Sequence, residues 1–284
     1  AEMEALLNKK GYFFSSANSI NWGRLAPQIV YYVSAYCDLL EKGTCRLGET
    51  FNVCVPTGNF GNIFAAYLAK QMGLPIGRLI CASNANNILT DFLRTGTYDR
   101  NRDFYLTMSP SMDILISSNL ERLLYHLSGG NGEEIKALMQ QLDTEKRYEV
   151  SDAIKAGLAE FYGGCASIEE TNEAVAKLYK EDGYLMDTHT AVASHVLKEY
   201  REKTGDMTPA VIVSTASPYK FAADVYESLG KTQPADPLAA LDELAAAADT
   251  EIPYPLRGLG ARTVRFTEVI DAEDMPAAVL KYCN

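Results

Sequence analysis

The residues best suited to chemistry lie in a turn that follows an apolar run. Residues 51–55 lead into the sequence Pro-Thr-Gly-Asn-Phe-Gly-Asn, and a helical pattern follows over residues 62–72. Two glycines let the backbone turn sharply and approach a ligand closely, and the N–H groups at a helix start suit a phosphate. The turn matches neither the dinucleotide-binding nor the P-loop motif. It predicts a phosphate-binding turn formed by Gly58, Asn59, Phe60, Gly61 and Asn62. The alternative is an ordinary strand-to-helix turn in which Gly and Asn supply positive φ.

A second candidate is Thr215, in the sequence Val-Ser-Thr-Ala-Ser-Pro that follows another strand-like run. In open α/β sheets, ligands lie beyond the carboxyl ends of the strands. Thr215 is therefore a candidate contact for the same ligand as the glycine-containing turn. The alternative is helix capping, because Ser217 before Pro218 resembles a helix start.

Asn21 and Arg24 form a third candidate group, again between a strand-like and a helical pattern. An arginine at a helix start opposes the helix dipole, so it needs a partner or an anionic ligand. The alternatives are a solvent-facing arginine and an asparagine that only caps the helix.

The three histidines, His126, His189 and His195, do not have the spacing of a metal site. His189 and His195 are six residues apart, which places them on different faces of a helix, and no acidic residue has metal-ligand spacing to them. We therefore predict no metal site and expect structural histidines. Asn84, Asn86 and Asn87 are typical caps and turn formers.

Strand-like and helical patterns alternate along much of the chain. Residues 12–17, 51–55, 78–82 and 210–214 have strand character, and helical patterns follow each of them. This alternation favours an α/β fold, with a parallel or mixed sheet and helices on both faces. Ser167 and Glu170 have capping-box spacing at the start of one helix.

The middle and the end of the chain depart from this alternation. Residues 112–127, 132–142, 150–162 and 168–180 all have helical spacing with no strand between them, which indicates a helical insertion. We predict an α/β core over residues 11–105 and 183–231, a helical insertion over 111–181, and a C-terminal segment over 232–284. The last contains a helix and an edge strand at residues 262–269.

Composition narrows the classes of function. The chain has 284 residues and a formal net charge of −11, which disfavours binding to nucleic acids or to anionic membrane surfaces. Six cysteines without a C-x-x-C pair indicate a reduced, cytoplasmic protein, and no apolar run is long enough to span a bilayer.

Six stretches of the chain resemble threonine synthases of the bacterial and fungal type. In order, they are SSANSINWGRLAPQ, VPTGNFGNIFAAYLAKQMGLPI, ASNANNILTDFLRTG, SPSMDILISSNLERLLY, DTHTAV and VSTASPYKF. Each stretch alone is weak, but the combination is specific. The resemblance implies the tryptophan-synthase-β-like fold of pyridoxal-phosphate (PLP) enzymes, fold type II. It also implies conversion of O-phospho-L-homoserine and water to L-threonine and phosphate.

The same resemblance implies roles for the candidate residues. Gly58, Asn59, Phe60, Gly61 and Asn62 would hold the PLP phosphate, and Thr215 would face the pyridine nitrogen. Asn21 and Arg24 match the pattern for the substrate phosphate. His189 and Thr190 lie in the shared DTHTAV stretch, so we expect them near the active site. Asn84, Asn86 and Asn87 would line the same cleft.

The chain differs from the family in its lysines. The family's Schiff-base lysine precedes the glycine-containing turn, in a short Lys-Asp motif, and Lys9, Lys10 and Lys42 have no such context. We therefore expect the N-terminal, lysine-bearing region to be absent, the chain to be inactive alone, and the protein to be a monomer or a weak homo-oligomer. The alternatives are a non-catalytic phosphate- or PLP-binding module and another fold type II lyase or dehydratase.

Overall fold

The computed structural model describes residues 2–283. Its strands are β1 (Phe51–Pro56), β2 (Ile76–Ser83), β3 (Thr97–Asp99), β4 (Arg147–Glu149), β5 (Phe161–Cys165) and β6 (Ala210–Ile212). Its helices are α1 (Glu2–Lys9), α2 (Trp22–Leu25), α3 (Ile29–Glu41), α4 (Gly61–Gln71), α5 (Ile88–Thr95), α6 (Leu120–Leu127), α7 (Gly132–Glu145), α8 (Asp152–Leu158), α9 (Ile168–Asp182), α10 (Thr188–Thr204), α11 (Ala222–Ser228), α12 (Ala239–Ala248) and α13 (Met275–Tyr282). Over residues 2–283, none of the helices has the length and apolar character needed to cross a bilayer.

The central sheet has four parallel strands in the order β5-β2-β1-β6. Every residue of β1 is buried, as is typical of a central parallel strand covered on both faces. Val53 pairs with Leu79 of β2 on one side and with Val211 of β6 on the other. Because the strands run in one direction, the carboxyl ends of β1, β2 and β6 lie along the same edge of the sheet.

Alternate residues of the central strands pack against helices on opposite faces. Val53, Val55, Leu79 and Cys81 belong to a core cluster that includes buried residues of α4 and α5. Cys54, Ile80 and Ala82 instead pack with Val192, Ala193 and Val196 of α10. The predicted fold class, a parallel sheet with helices on both faces, is therefore confirmed.

Within the predicted helical insertion, β5 corrects the expectation that residues 150–162 are helical with no strand before the next helix. This strand pairs with β2 at the edge of the sheet. Two glycines permit it, because an added Cβ on Gly163 would lie 2.9 Å from the Thr90 Cα and one on Gly164 would lie 2.6 Å from the Val196 Cγ1. The strand is thus selected by close packing against α5 and α10. The short antiparallel pair of β3 and β4 also includes part of this region.

Two other strand predictions were wrong. Residues 12–17 and 262–269 are irregular and exposed, and neither segment pairs with a strand among residues 2–283. Both contain aromatic or β-branched residues, which favour strands, but a strand forms only where a neighbour supplies backbone partners. The capping box of Ser167 and Glu170 is present as expected. The division into core, insertion and C-terminal segment stays a prediction.

At the amino-terminal edge of the sheet, Asp206 joins the end of α10 to β1. Its carboxylate accepts hydrogen bonds from Asn52 Nδ2 (2.8 Å), the Tyr200 hydroxyl (2.5 Å) and the Thr208 N–H (3.0 Å). Hydrogen bonds from Thr208 and Tyr200 hold the pKa of Asp206 well below its ordinary value. The ionised carboxylate is therefore part of the folded structure at neutral pH.

Replacing Asp206 with Asn should lower the free energy of unfolding at pH 7 by about 1–2 kcal/mol, since hydrogen bonds to a charged acceptor are lost. A carboxylate with a lowered folded-state pKa stabilises the fold above its unfolded pKa and loses this effect as the pH falls. The difference from wild type should therefore shrink below about pH 4. Urea unfolding across pH tests this. The matched change Asp103→Asn, on an exposed loop, should have little effect at any pH, and an equal effect of both changes would contradict the prediction.

Candidate functional site

The turn after β1 connects the strand directly to α4. The Thr57 N–H donates to the Ala82 carbonyl (2.8 Å), and this bond continues the pairing with β2 by one residue. Phe60 has a left-handed backbone (φ 63°) and a buried ring that packs 5.9 Å from the Phe161 ring. The Phe64 N–H then donates to the Phe60 carbonyl (3.0 Å), which is the first hydrogen bond of α4. Burial of the Phe60 ring thus fixes where the helix begins.

The backbone N–H groups of the 58–62 turn are its main chemical feature. Within residues 2–283, none of these five groups donates a hydrogen bond. All of the five residues except Phe60 are half-buried, so they remain accessible to a ligand. Free N–H donors at the positive end of a helix dipole are groups to which anions bind in proteins, so the turn is the candidate anion site.

The carbonyl groups of the same turn are occupied by the segment before α6. The Ser117 hydroxyl donates to the Gly58 carbonyl (2.8 Å), and Asn119 donates to the Asn59 carbonyl from both its N–H (3.1 Å) and its Nδ2 (2.9 Å). Sequence reasoning did not single out Ser117 or Asn119. The one available signal was their presence in the stretch SPSMDILISSNLERLLY, which carries no contact information.

Gly58 allows a very close approach between the turn and residues 109–113. An added Cβ on Gly58 would lie 2.5 Å from the Ser111 carbonyl oxygen and 3.3 Å from the Met112 Cα. Ser111 in turn donates its N–H to His189 Nε2 (3.2 Å), at the start of α10. The turn therefore packs against a backbone segment that is hydrogen-bonded to His189 of α10.

Thr215 lies at the same edge of the sheet as the 58–62 turn. The Val213 N–H donates to the Cys54 carbonyl (2.9 Å), so the chain remains paired with β1 to within two residues of Thr215. Thr215 is exposed, and its hydroxyl makes no hydrogen bond with any of residues 2–283. The capping function belongs to Ser217, whose hydroxyl accepts from the Tyr219 N–H (3.3 Å). Capping therefore does not account for Thr215.

The side chains of Asn21 and Arg24 form hydrogen bonds with residues close to them in sequence. The Asn21 side chain accepts from the Gly23 N–H (2.8 Å) as the N-cap of α2 and donates to the Ser16 carbonyl (2.6 Å). Arg24 is exposed and donates from Nη1 to the Ala17 carbonyl (2.5 Å), which leaves its other donors available. Asn119 Nδ2 also reaches the Ser19 carbonyl (3.2 Å), so the Asn21 and Arg24 segment adjoins the turn.

The asparagine and histidine candidates have different environments. Asn62 directs its side chain to Tyr32 and Gln28 rather than across the turn. Asn84 and Asn86 are buried and share Asp113 Oδ1 at 2.7 and 3.0 Å, whereas the Asn87 side chain accepts from Arg102 (3.0 Å). His126 contacts Tyr67, and His195 faces Glu170. Among residues 2–283, no three His, Cys, Asp or Glu side chains form a metal-binding group.

Two lysines near the sheet are engaged elsewhere. Lys70 donates to the Gly77 carbonyl (2.7 Å) and pairs with Glu160 (2.8 Å), at the amino end of β2. Lys220 lies with its Nζ 5.3 Å from the centre of the Phe221 ring. The structure therefore points to neither of them as a nucleophile at the 58–62 turn.

Comparisons of the sequence and the structure with known proteins all give matches to threonine synthases or threonine synthase-like proteins. Residues 190–279 match the family model for the C-terminal part of threonine synthase. The chain is 46% identical over 221 residues to threonine synthase-like 1 of Homo sapiens. This match covers 77% of this chain and 29% of the human protein. The chain is similar to the threonine synthases over most of its length.

Solved threonine synthase structures have the same fold. The PLP-bound threonine synthase from Brucella melitensis superimposes with a TM-score of 0.71 and 39% identity, over 81% of this chain and 48% of that one. The yeast threonine synthase gives a TM-score of 0.79 and 33% identity, over 94% of this chain and 53% of that one. The chain thus spans about half of the solved chains that it matches, and less than a third of the human relative.

Replacing Gly58 with Ala should displace the 58–62 turn, because the new methyl group would meet the Ser111 carbonyl oxygen. We expect the free energy of unfolding to fall by about 1–3 kcal/mol, the usual effect of overpacking. Gly132→Ala is the matched control, since no atom lies within 4 Å of the added Cβ. Urea unfolding of both variants measures the difference. Equal stability of the two variants would show that the close approach at Gly58 imposes no constraint.

Proposed function

We propose that the 58–62 turn binds the phosphate group of PLP, and that the protein acts as a threonine synthase on O-phospho-L-homoserine and water. The observation that carries this proposal is the run of five backbone N–H groups at the start of α4 that have no partner within residues 2–283, in a chain similar to threonine synthases. The products would be L-threonine and inorganic phosphate.

The shape and polarity of the turn support binding of a phosphate. The donors come from consecutive residues, and the carbonyls of Gly58 and Asn59 are already bound by Ser117 and Asn119. A dianionic group therefore meets N–H donors and the helix dipole without repulsion from those oxygens. PLP carries such a group at one end and a flat aromatic ring at the other.

The position and exposure of Thr215 support the proposal that an aromatic ring binds beside the turn. Its exposed hydroxyl, free of partners within residues 2–283, sits at the end of the strand next to β1. A neutral hydroxyl can hydrogen-bond the pyridine nitrogen without favouring its protonation as a carboxylate would. Bound PLP supplies an electron sink for the carbanion chemistry of its substrate.

Arg24 and Asn21 are proposed to recognise the substrate phosphate. The Arg24 guanidinium is exposed, always charged, and uses only one donor on the Ala17 carbonyl. A planar fork of this kind binds a phosphate ester and stabilises the charge on the departing phosphate. Asn21 contributes by holding the start of α2, because both ends of its side-chain amide are bound locally.

A second candidate function is a PLP- or phosphate-binding unit without a catalytic lysine of its own. The engagement of Lys70 with Glu160 and of Lys220 with Phe221 favours it. We assign no lysine of this chain to catalysis. Both functions share the phosphate-binding turn, and they differ in whether threonine is formed.

Wild-type protein should bind PLP saturably, in competition with inorganic phosphate. Thr215→Val should raise the Kd for PLP about three- to tenfold, the usual effect of losing one hydrogen bond, and leave the Kd for phosphate unchanged. Equilibrium dialysis with each ligand measures both. Thr267→Val, at an exposed residue far along the chain, is the control. No saturable PLP binding by wild type would refute the proposed function.

Arg24→Ala should weaken binding of O-phospho-L-homoserine to the PLP-loaded protein by about tenfold or more, because a charge-assisted phosphate contact is lost. Binding of PLP should be unchanged. Calorimetric titration of both ligands tests this, with Arg46→Ala as an exposed-arginine control. Loss of PLP affinity with unchanged substrate affinity would reverse the assignment.

A further inference from the structure

Residues 109–113, called the backing segment, form the surface against which the 58–62 turn rests. The Ser111 carbonyl would be 2.5 Å from a Cβ on Gly58, so there is no space for the two backbones to approach further. Because the turn adjoins this surface directly, movement of the backing segment would also move the five N–H groups. The groups that fix the backing segment therefore determine the geometry of the proposed phosphate site.

Two sets of polar contacts hold the backing segment. On one side, Asp113 accepts from Asn84 Nδ2 (2.7 Å), directly after the end of β2, and from the Thr107 N–H (2.9 Å). On the other side, the Ser111 N–H donates to His189 Nε2 (3.2 Å). The second contact is the one closest to Gly58, because it is made by Ser111 itself.

The His189 ring is fixed in one orientation and one tautomer. Since the Ser111 N–H is a donor, Nε2 must be the unprotonated nitrogen, and the proton lies on Nδ1. Nδ1 is 3.2 Å from Asp187 Oδ1, and the ring packs 4.7 Å from the Phe221 ring. His189 is only 3% exposed, so these contacts leave the ring little freedom.

Asp187 orients the ring as a buried carboxylate. It is completely buried as the N-cap of α10 and accepts from the His189 N–H (2.9 Å) and the Thr190 N–H (3.3 Å). Although burial disfavours the charged form, hydrogen bonds from His189 and Thr190 hold the pKa of Asp187 below its ordinary value. A charged acceptor beside Nδ1 keeps the proton on that nitrogen and leaves Nε2 free to accept.

The same group also reaches the Thr215 side of the site. The Thr190 hydroxyl donates to Asp187 Oδ2 and lies 3.5 Å from the Ser214 hydroxyl, one residue before Thr215. The start of α10 therefore contacts the backing segment through His189 and the segment after β6 through Thr190. One rigid helix start connects both parts of the candidate site.

We infer that His189 is a positioning residue that, oriented by Asp187, holds Ser111 and through it the phosphate-binding geometry of the 58–62 turn. It acts through Ser111 and not on the ligand. The inference rests on the proposed function for its ligand, PLP. It assigns a role to a histidine whose ring nitrogens are both engaged by protein groups.

Two substitutions separate the two sides of the ring. His189→Gln places an amide oxygen near the position of Nε2, so it can still accept from Ser111. His189→Asn places an amide nitrogen near Nδ1, so it keeps the contact with Asp187 and loses Ser111. Both variants lose the ring and its contact with Phe221, so each is the other's control for general loss of packing.

The experiment measures hydrogen exchange at the Ser111 amide by NMR and the Kd for PLP by equilibrium dialysis, in the 284-residue chain. For His189→Asn we expect faster exchange at Ser111 and a Kd raised about three- to tenfold. For His189→Gln we expect both values to stay within about twofold of wild type. Equal behaviour of the two variants, or changed exchange at Ser111 with unchanged PLP affinity, would overturn the inference.

A further variant covers the case in which neither histidine substitution folds. Asp113→Asn loosens the same backing segment from the Asn84 side without altering the ring, and it should speed exchange at Ser111 and weaken PLP binding. Unchanged PLP affinity there would remove the link between the backing segment and the turn. A wild-type chain that binds no PLP would instead refute the proposed function, and exchange at residues 58–62 and Ser111 would still decide the positioning role.

Discussion

The candidate site depends on a difference between the two kinds of backbone group in the 58–62 turn. The carbonyls of Gly58 and Asn59 are bound by Ser117 and Asn119, whereas the neighbouring N–H groups have no partner within residues 2–283. Carbonyl oxygens close to a phosphate would repel it, and paired N–H groups would not be available to it. The contacts of Ser117 and Asn119 with the turn therefore leave N–H donors, rather than carbonyl oxygens, available to the proposed phosphate ligand.

Parallel strand pairing brings the parts of this surface together. Thr215 follows the 58–62 turn by more than 150 residues, yet β6 pairs directly with β1, and the two strand ends share one edge of the sheet. The same edge holds the end of β2, where Asn84 binds Asp113 in the backing segment. A crossover connection separates each pair of neighbouring parallel strands, so a site at this edge is always assembled from distant residues.

Two carboxylates, the buried Asp187 and the half-buried Asp113, fix the loops around the site. Asp187 and Asp113 each accept several hydrogen bonds, which offset the cost of removing a charge from water. Each holds a short segment: Asp187 the start of α10 and Asp113 the backing segment. Asn84 and Asn86, which the sequence indicated as turn formers, thus bind Asp113 and support the edge where the turn and Thr215 lie.

Sequence alone determined the local features and the family resemblance. The glycine-containing turn between β1 and α4, the capping box at Ser167 and the alternation of strands and helices are all set by residues a few positions apart. The position of Thr215 beyond a strand was also visible, because strand ends follow from apolar runs.

Tertiary structure decided which apolar segments became strands and which polar groups form hydrogen bonds with each other. Residues 161–165 became a strand because Gly163 and Gly164 fit between two helices, whereas residues 12–17 and 262–269 found no strand to pair with. The contacts of Ser117, Asn119 and His189 with the turn and its backing segment join residues about 60 to 80 positions apart. Local spacing carries no information about such contacts, since only the packed sheet and helices bring these groups within hydrogen-bonding distance.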